Sequence, residues 1–384
     1  MKFKLRLDII STLPINSTFV YTDETTRTLL FKKVKNSKEI TKRLKINIQN
    51  FTRYRNGERG MPLSLFLDLL KYSGETKEIF QNNIKLRIGK SGVAIKIGPY
   101  IYVDGEWIYI AELIRGDGHV KKNLWGLYFV NKEIDLINIV RNFFMKLGIP
   151  KESMRLSQNK GIWSLEIRSK LLALIFWKIF NISPGKREES RLPKFYFNIE
   201  YVPSAIRGAF DAEGSVQIGK PSPRRITISS KSRLWLTDLQ FMLGELKINS
   251  IIRKEERYKS FIYRLYVYGQ TNLKRFHNFI MPNHRRRSGK LQLLLKTYNT
   301  KRAVEGKVTT MLLESLRASG PLKRISLSKK LSINKNRLSW YLNSLQQKQL
   351  INVVERTYTS KGSYYTYGIT ELGIKKLSED WSLR

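Results

Sequence analysis

The sequence predicts an α+β protein whose centre is a duplicated αββαββα unit with pseudo-twofold symmetry, flanked by a smaller domain at each end. Three observations predict this fold: a helix motif that occurs twice, the same series of strands and helices after each copy, and short helical segments outside the two copies. The expected boundaries are 1–80 for the N-terminal domain, 81–192 for a hairpin and the first unit, 193–300 for the second unit, and 303–384 for the C-terminal domain.

The repeated motif is a buried-type helix that ends on a carboxylate beside a glycine. It reads IYIAELIRGDGHV at 108–120 and AIRGAFDAEGSV at 205–216. When the copies are aligned on their last glycine, Asp117 and Glu213 occupy the same position. Glycine after a helix is an ordinary stop signal, so one copy would indicate only a turn. Two copies indicate a duplicated element in which the two acids occupy equivalent positions.

The segments after each copy have the same order. After the first come LWGLYFV, NKEIDLINIVRNFFMKLGI, SMRLSQ, GIWSLEIRS and KLLALIFWKIF. After the second come SVQIG, RRITISS, KSRLWLTDLQFMLGELKI, SIIRKEERYKS, FIYRLYVYG and TNLKRFHNFIM. Alternating polarity predicts the strands, and apolar residues at helical spacing predict the helices. Each half is therefore expected to run helix, two strands, helix, two strands, helix.

Composition restricts the chemistry of the two acids. The 71 Lys and Arg residues against 31 Asp and Glu give a net charge of +40, which indicates a polyanionic partner, most naturally nucleic acid. The chain has no Cys and three His, so any metal would be an oxygen-ligated hard cation.

Apolar runs are too short to span a membrane, and the N-terminus alternates like a strand. We expect no membrane contact and a cytoplasmic, nucleoid-associated protein.

The paired motifs and the elements after them resemble the LAGLIDADG homing endonucleases of the single-chain, two-motif type, over roughly residues 100–300. A family-like ending also occurs in FIMPNHRRRSGKL. The resemblance implies that the motif helices pack side by side, where Gly116 and Ala212 let the backbones approach. It also implies that Asp117 and Glu213 meet at the bottom of that interface, facing a saddle of two four-stranded sheets.

Hydrolysis of both DNA strands requires divalent cations that activate water and neutralise charge on the attacking and leaving oxygens. Because Mg²⁺ favours one or two carboxylates with phosphate oxygens and water, we expect Asp117 and Glu213 to be catalytic residues that bind Mg²⁺ (or Mn²⁺). By position, the resemblance also implies catalytic auxiliaries at strand ends: Asn131, Lys132, Ser230, Lys231 and Arg168.

The motifs depart from the family pattern at a few positions. Glu112 and Arg115 stand where the family commonly has Gly and Asp, and Tyr268 stands at the fourth-strand position that matches Arg168. We expect Arg115 and Asp211 to be candidates for an ion pair across the pseudo-twofold axis. These departures leave cleavage open.

The strands of both halves are expected to read DNA. A β-ribbon fits the major groove, where Arg and Gln can bind base edges, while many basic side chains contact only phosphates. The expected DNA-binding residues of the strands are Lys121, Arg155, Gln158, Gln217, Arg225, Thr227, Arg253, Arg257, Arg264 and Tyr266.

The N-terminal segment 37–70 resembles the helix-turn-helix of the phage Cro/repressor type. Ser37 is expected to cap the first helix, Ile40 and Leu44 to form its apolar face, and residues 45–47 to turn. A helical bundle without DNA contacts is the alternative. The expected recognition-helix residues are Gln49, Asn50, Arg53 and Arg55.

Residues 303–380 resemble a winged helix, with three helices, a two-stranded wing and a closing helix. Winged helices also bind proteins, so a protein partner through this domain is an alternative to DNA. The expected DNA-binding residues are Lys335, Arg337, Trp340, Arg356 and Lys361.

Two functions remain open from the sequence. The first is a site-specific double-stranded DNA endonuclease of the homing type. The second is a non-cleaving DNA binder on the same scaffold, acting as a transcription regulator or replication-origin initiator. In both, we expect binding to duplex DNA as a monomer, because one chain supplies both half-saddles. Without Cys, and with Phe279 after His277-Asn278, we expect no splicing junction and a free-standing chain.

Overall fold

The computed structural model describes residues 4–34, 36–43, 45–89, 93–185, 191–219, 223–257, 260–298, 305–359 and 362–382. The chain forms two compact units, Met1–Tyr298 and Asn299–Arg384. Each unit has its own apolar core. The first unit contains the N-terminal domain and both copies of the duplicated unit.

In its described residues, the N-terminal part of the first unit has two small sheets and four α-helices. Its strands β2, β3 and β4 form a sheet of order β3-β2-β4, and β1 pairs with β5. Its elements are β1 (Leu5–Asp8), β2 (Thr18–Thr22), α1 (Glu24–Phe31), α2 (Ser37–Arg43), α3 (Ile48–Arg55), β3 (Met61–Pro62), α4 (Leu63–Ser73), β4 (Ile84–Ile88) and β5 (Tyr100–Val103). Short 3₁₀ helices of the first unit are Ile10–Thr12, Lys77–Phe80, Lys151–Ser153 and Lys194–Phe197.

The hairpin expected between the N-terminal domain and the first unit is not formed by β4 and β5. β4 pairs with β2 and β5 pairs with β1, so the two strands belong to different sheets. Within the expected hairpin segment, Leu86 and Ile95 form one isolated antiparallel bridge. Both strands are short, and their partners lie far away in the chain, so the local pattern does not specify the pairing.

The helix-turn-helix segment has its two helices, α2 and α3, where the sequence predicts them. Lys45 adopts a left-handed backbone with φ of 52°, which ends the first helix. Asn47 begins the second helix by accepting a hydrogen bond from the Gln49 amide at 2.8 Å. The first helix is capped by Asn36, which accepts from the Lys38 amide at 3.1 Å, and not by Ser37 as expected. Leu44 lies outside the described residues.

The duplicated αββαββα order is confirmed. The first copy folds into a sheet of order β6-β7-β9-β8 and the second into β10-β11-β13-β12, all antiparallel. The first copy consists of α5 (Gly105–Asp117), β6 (Gly118–Val120), β7 (Leu127–Asn131), α6 (Ile134–Lys146), β8 (Met154–Asn159), β9 (Ile162–Ile167) and α7 (Lys170–Lys178). The second consists of α8 (Val202–Glu213), β10 (Gly214–Gln217), β11 (Arg225–Ser230), α9 (Arg233–Glu245), β12 (Ser250–Arg257), β13 (Ser260–Tyr268) and α10 (Gln270–Ile280), and is followed by α11 (Arg285–Lys296).

The second unit has the element order of a winged helix. Its sheet has the order β14-β16-β15, and its core includes Leu312, Leu338 and Leu342. Its elements are α12 (Glu305–Ser319), β14 (Leu322–Lys323), α13 (Arg324–Lys330), α14 (Lys335–Gln347), β15 (Ile351–Thr359), β16 (Gly362–Ile369) and α15 (Glu371–Ser382).

Candidate metal centre and nucleic-acid interface

The two motif helices, α5 and α8, approach each other closely at their C-terminal ends. A Cβ atom built on Gly116 would lie 2.3 Å from the Ala212 Cβ and 3.2 Å from the Glu213 Cγ. No side chain fits at such distances, so glycine is required there and the expected close approach is confirmed. Since Asp117 and Glu213 end these helices, the same contact brings the two acids to the same side of the helix pair, next to Gly116.

Asn131 holds the carboxylate of Asp117 in a defined orientation. The Asn131 Nδ2 donates to the Asp117 Oδ2 at 2.7 Å, while the Asn131 Oδ1 accepts from the Glu133 amide at 2.8 Å. These two bonds fix the amide between the end of β7 and the motif helix. Asp117, Asn131 and Lys132 line one cleft of about 410 Å³, so two predicted auxiliaries lie beside the first acid.

The corresponding residues of the second half lie at the end of the strand that pairs beside Glu213. Gly214 pairs with Ile228 on β11, Ser230 is the last residue of that strand, and Lys231 follows it. The Ser230 Oγ accepts from the Ser232 amide at 3.0 Å, so part of its hydrogen-bonding capacity supports the start of α9.

Arg168 does not lie at the acids, which corrects its predicted place. Leu127 pairs with Ile167 and Asn131 pairs with Trp163, so Arg168 follows β9 at the opposite end of β7. Four residues of strand separate the two ends, about 13 Å. The Arg168 guanidinium instead lies 3.4 Å from the Glu166 Oε2.

The expected ion pair between Arg115 and Asp211 is also wrong. The Arg115 Nε donates to the Glu112 Oε1 at 2.8 Å, and the guanidinium also donates to the Phe180 carbonyl. The second oxygen of Glu112 accepts from the Trp235 indole at 2.8 Å. Because Glu112 and Arg115 are 0% and 4% exposed, these two departures from the family pattern form a buried structural pair satisfied by neighbouring donors and acceptors.

Asp211 anchors the segment that follows the second copy. It accepts from the Tyr109 hydroxyl at 3.0 Å, and from the amides of Asn283 at 2.8 Å and His284 at 3.2 Å. Burial raises the pKa of Asp211, although all three hydrogen bonds act in the opposite direction. The carboxylate therefore joins α5, α8 and the start of α11.

Arg287 is a residue of this site to which the sequence analysis gave no role. Its Nη1 donates to the Phe210 carbonyl at 2.8 Å and to the Asp211 carbonyl. Burial lowers its pKa, and the charges of Asp117, Asp211 and Glu213 oppose that change. The run of three arginines in FIMPNHRRRSGKL indicates a basic segment, but the local pattern does not show which of the three lies against the end of α8.

Most predicted DNA-binding residues of the strands share one face of each sheet. Arg225 stacks over the Tyr266 ring at 4.2 Å and donates to Gln217, and Arg264 lies 2.8 Å from a Glu255 carboxylate oxygen. Lys121 pairs with Glu166 on the first saddle. Arg155 and Arg253 are exposed.

Three of the predicted strand residues are corrected. Thr227 and Tyr266 face the saddle but are only 3% and 1% exposed, because neighbouring side chains cover them. Gln158 lies two positions from Leu156 on β8, whose partner Leu165 is in the core, so Gln158 points to the other face from Arg155. The side chain of Arg257 lies outside the described residues.

The terminal domains expose most of their predicted DNA-binding residues. Gln49, Arg53 and Arg55 are exposed, and Asn50 is half-buried. In the second unit Arg337 is exposed, Trp340 is 57% exposed, and the exposed Arg356 donates to the Tyr365 hydroxyl at 2.6 Å. Lys361 and the side chain of Lys335 lie outside the described residues.

Asp117 and Glu213 are carboxylates, the donor type that a hard divalent cation prefers. Among the described residues, no group of three or more His, Asp or Glu side chains is assembled that could hold a metal ion. A protein that offers Asp117 and Glu213 alone would leave the remaining positions to phosphate oxygens and water, which Mg²⁺ accepts.

Within the described part of the chain, every helix is too short or too polar to cross a bilayer.

Residues 200–281 match the model of the LAGLIDADG-like domain, so the chain contains a domain of this class. The matched residues cover the second αββαββα copy, from α8 to α10.

The fold resembles that of the homing endonuclease I-DmoI in complex with DNA and Mn, at 20% identity and a TM-score of 0.36 over 46% of this chain and 96% of that one. It also resembles full-length DUF199/WhiA from Thermatoga maritima, at 15% identity and a TM-score of 0.37 over 64% and 92%.

Two curated relatives share part of the sequence. The chain is 28% identical over 127 residues to elongation factor 2 of Methanopyrus kandleri, covering 33% of this chain and 9% of that protein. It is 28% identical over 201 residues to glutamine–fructose-6-phosphate aminotransferase of Methanocaldococcus jannaschii, covering 50% and 17%. The chain thus spans less than a fifth of the length of either relative.

Proposed function

We propose that this protein binds double-stranded DNA sequence-specifically and cleaves both strands at its site by metal-dependent phosphodiester hydrolysis. The observation that carries the proposal is the close approach of α5 and α8 at Gly116, beside the residues that end these helices, Asp117 and Glu213. One carboxylate comes from each half, as a reaction on two strands related by a pseudo-twofold axis requires.

In this proposal Asp117 and Glu213 hold Mg²⁺ (or Mn²⁺), and Asn131 keeps the Asp117 carboxylate in the orientation that its 2.7 Å hydrogen bond defines. The bound cation would supply an activated water and charge neutralisation at the phosphate. Lys132 lines the same cleft, and we expect it to bind a phosphate oxygen.

The two saddles supply the DNA-binding surface. Arg155, Arg225 and Arg253 project from strands of both halves, and the +40 charge of the whole chain favours a polyanion. The exposed basic residues of α3 and of the β15–β16 wing would lengthen the footprint. The two relatives have unrelated names and share only a minor part of their length with this chain, which supports a module independent of their named activities.

A non-cleaving DNA binder, acting as a regulator or initiator, is the second candidate. It is favoured by the position of Arg168, which leaves the acid pair without the basic strand residue expected there, and by Glu112 and Arg115, which serve packing.

The test that separates the two functions is incubation with a plasmid library of random inserts in Mg²⁺ or Mn²⁺, followed by sequencing of new ends and of bound, unbroken fragments. We expect paired ends at one recurrent sequence. Recovery of one bound sequence that is never broken under either cation would establish the binder instead.

A further inference from the structure

Arg287 is a basic residue that lies beside the end of α8, the helix that ends on Glu213. Arg287 lies in the first turn of α11, and its guanidinium donates to the carbonyls of Phe210 and Asp211 in the last turn of α8. The helix is held from the other side by the Asp211 carboxylate, which accepts from the Asn283 and His284 amides. This two-point attachment keeps the Arg287 charge beside the end of α8.

Arg287 also lines the cleft that contains the first acid. Asp117, Asn131 and Arg287 line it together with Ala212 and Gly214, the two residues that flank Glu213 in the chain. The side chain is partly buried, so water screens its charge less than that of a surface arginine. The match to the LAGLIDADG-like domain ends at residue 281, before α11 begins, so this cation is supplied by a segment beyond the matched residues.

We propose that Arg287 is the resident counter-ion of Asp117 and Glu213, and that it weakens the binding of divalent cations to the DNA-free protein. The inference rests on the proposed function only in assigning the metal to these two acids. Two carboxylates that meet at one point repel each other and an approaching phosphate. A fixed positive charge beside them offsets this repulsion, so DNA can dock before the metal binds, while the same charge disfavours a divalent ion until a phosphate enters.

The test is a titration of the DNA-free protein with Mn²⁺, followed by the loss of the free-ion electron paramagnetic resonance signal. We expect Arg287→Gln to bind Mn²⁺ more tightly than the wild type, on the order of tenfold, because it removes one positive charge near the acids. The matched control is Arg285→Gln, which removes the same charge from the same helix turn at an exposed position and should leave Mn²⁺ affinity unchanged.

Two further variants separate charge from structure. Arg287→Lys keeps the charge with a poorer fit to two carbonyls, so we expect wild-type Mn²⁺ affinity even where its melting temperature falls. The gain in Arg287→Gln should disappear when Asp117→Asn is added. Without metal, Arg287→Gln should also weaken binding to a mixed-sequence duplex more than Arg285→Gln does.

Mn²⁺ affinity of Arg287→Gln equal to or below that of the wild type would overturn the inference, as would an equal gain in Arg287→Lys. Neither readout involves cleavage. A wild type that never cuts DNA would therefore refute the nuclease while leaving the titration to decide the role of Arg287.

Discussion

Replacement of Gly208 by alanine tests the contact on which the acid pair depends. Gly208 lies in the middle of α8, and a Cβ there would lie 2.6 Å from the Tyr109 carbonyl oxygen and 2.7 Å from the Glu112 Cβ. Neither atom can rotate away, because one belongs to the backbone of α5 and the other is fixed to it. The two helices must therefore separate by several tenths of an ångström or more.

The expected cost follows from two opposing effects. Overpacking a tight core costs about 1–3 kcal/mol, and the severity of this contact favours the upper part of that range. The higher helix propensity of alanine offsets about 1 kcal/mol. The net result is a loss of about 1–2 kcal/mol, which lowers the melting temperature of a unit of this size by roughly 2–4 °C.

Differential scanning calorimetry of the full chain measures this change, and Gly244→Ala is the matched control. Gly244 also lies in a helix, α9, but a Cβ there would meet nothing within 4 Å. The control should therefore gain up to about 1 kcal/mol and melt slightly higher. If both variants shifted the transition upward by the same amount, the helices would not be in the close contact described, and the reasoning about the acid pair would fail.

Four further predictions concern chemistry, binding and the core. Asp117→Asn and Glu213→Gln should each abolish cleavage in a plasmid assay while binding to the selected site in Ca²⁺ persists; a variant that cuts at the wild-type rate would contradict the metal assignment. The logarithm of the DNA affinity should fall with the logarithm of salt concentration with a slope of several units in filter binding, and a flat dependence would count against phosphate contact. Sedimentation of the complex should show one chain on a site without strict palindromy, whereas a dimer on a perfect palindrome would refute the pseudo-dimer. Trp235→Phe removes the indole donor from the buried Glu112 carboxylate and should cost about 1–3 kcal/mol in the same calorimetry; an unchanged transition would show that the pair needs no donor.

The sequence by itself determined the order of elements and the pairing of the two halves. Apolar periodicity is a local property, so the helices and strands of both copies could be predicted from their own residues. The position of Asp117 and Glu213 at equivalent helix ends followed from alignment of the copies. The resemblance to the LAGLIDADG family implied a close backbone approach at the tiny residues before them, and the contact at Gly116 confirms it.

Only the tertiary structure decided which side chains accompany the acids. Strand register placed Arg168 at the far end of β7 from Asn131, although both stand at strand ends in the sequence. Arg115 pairs with Glu112 on its own helix. Arg287 donates to the Phe210 carbonyl from a helix far along the chain. Local pattern shows that a strand or helix exists and which residues alternate along it. It does not specify partner, register or long-range hydrogen bonds, because these depend on burial and charge contributed by residues distant in sequence.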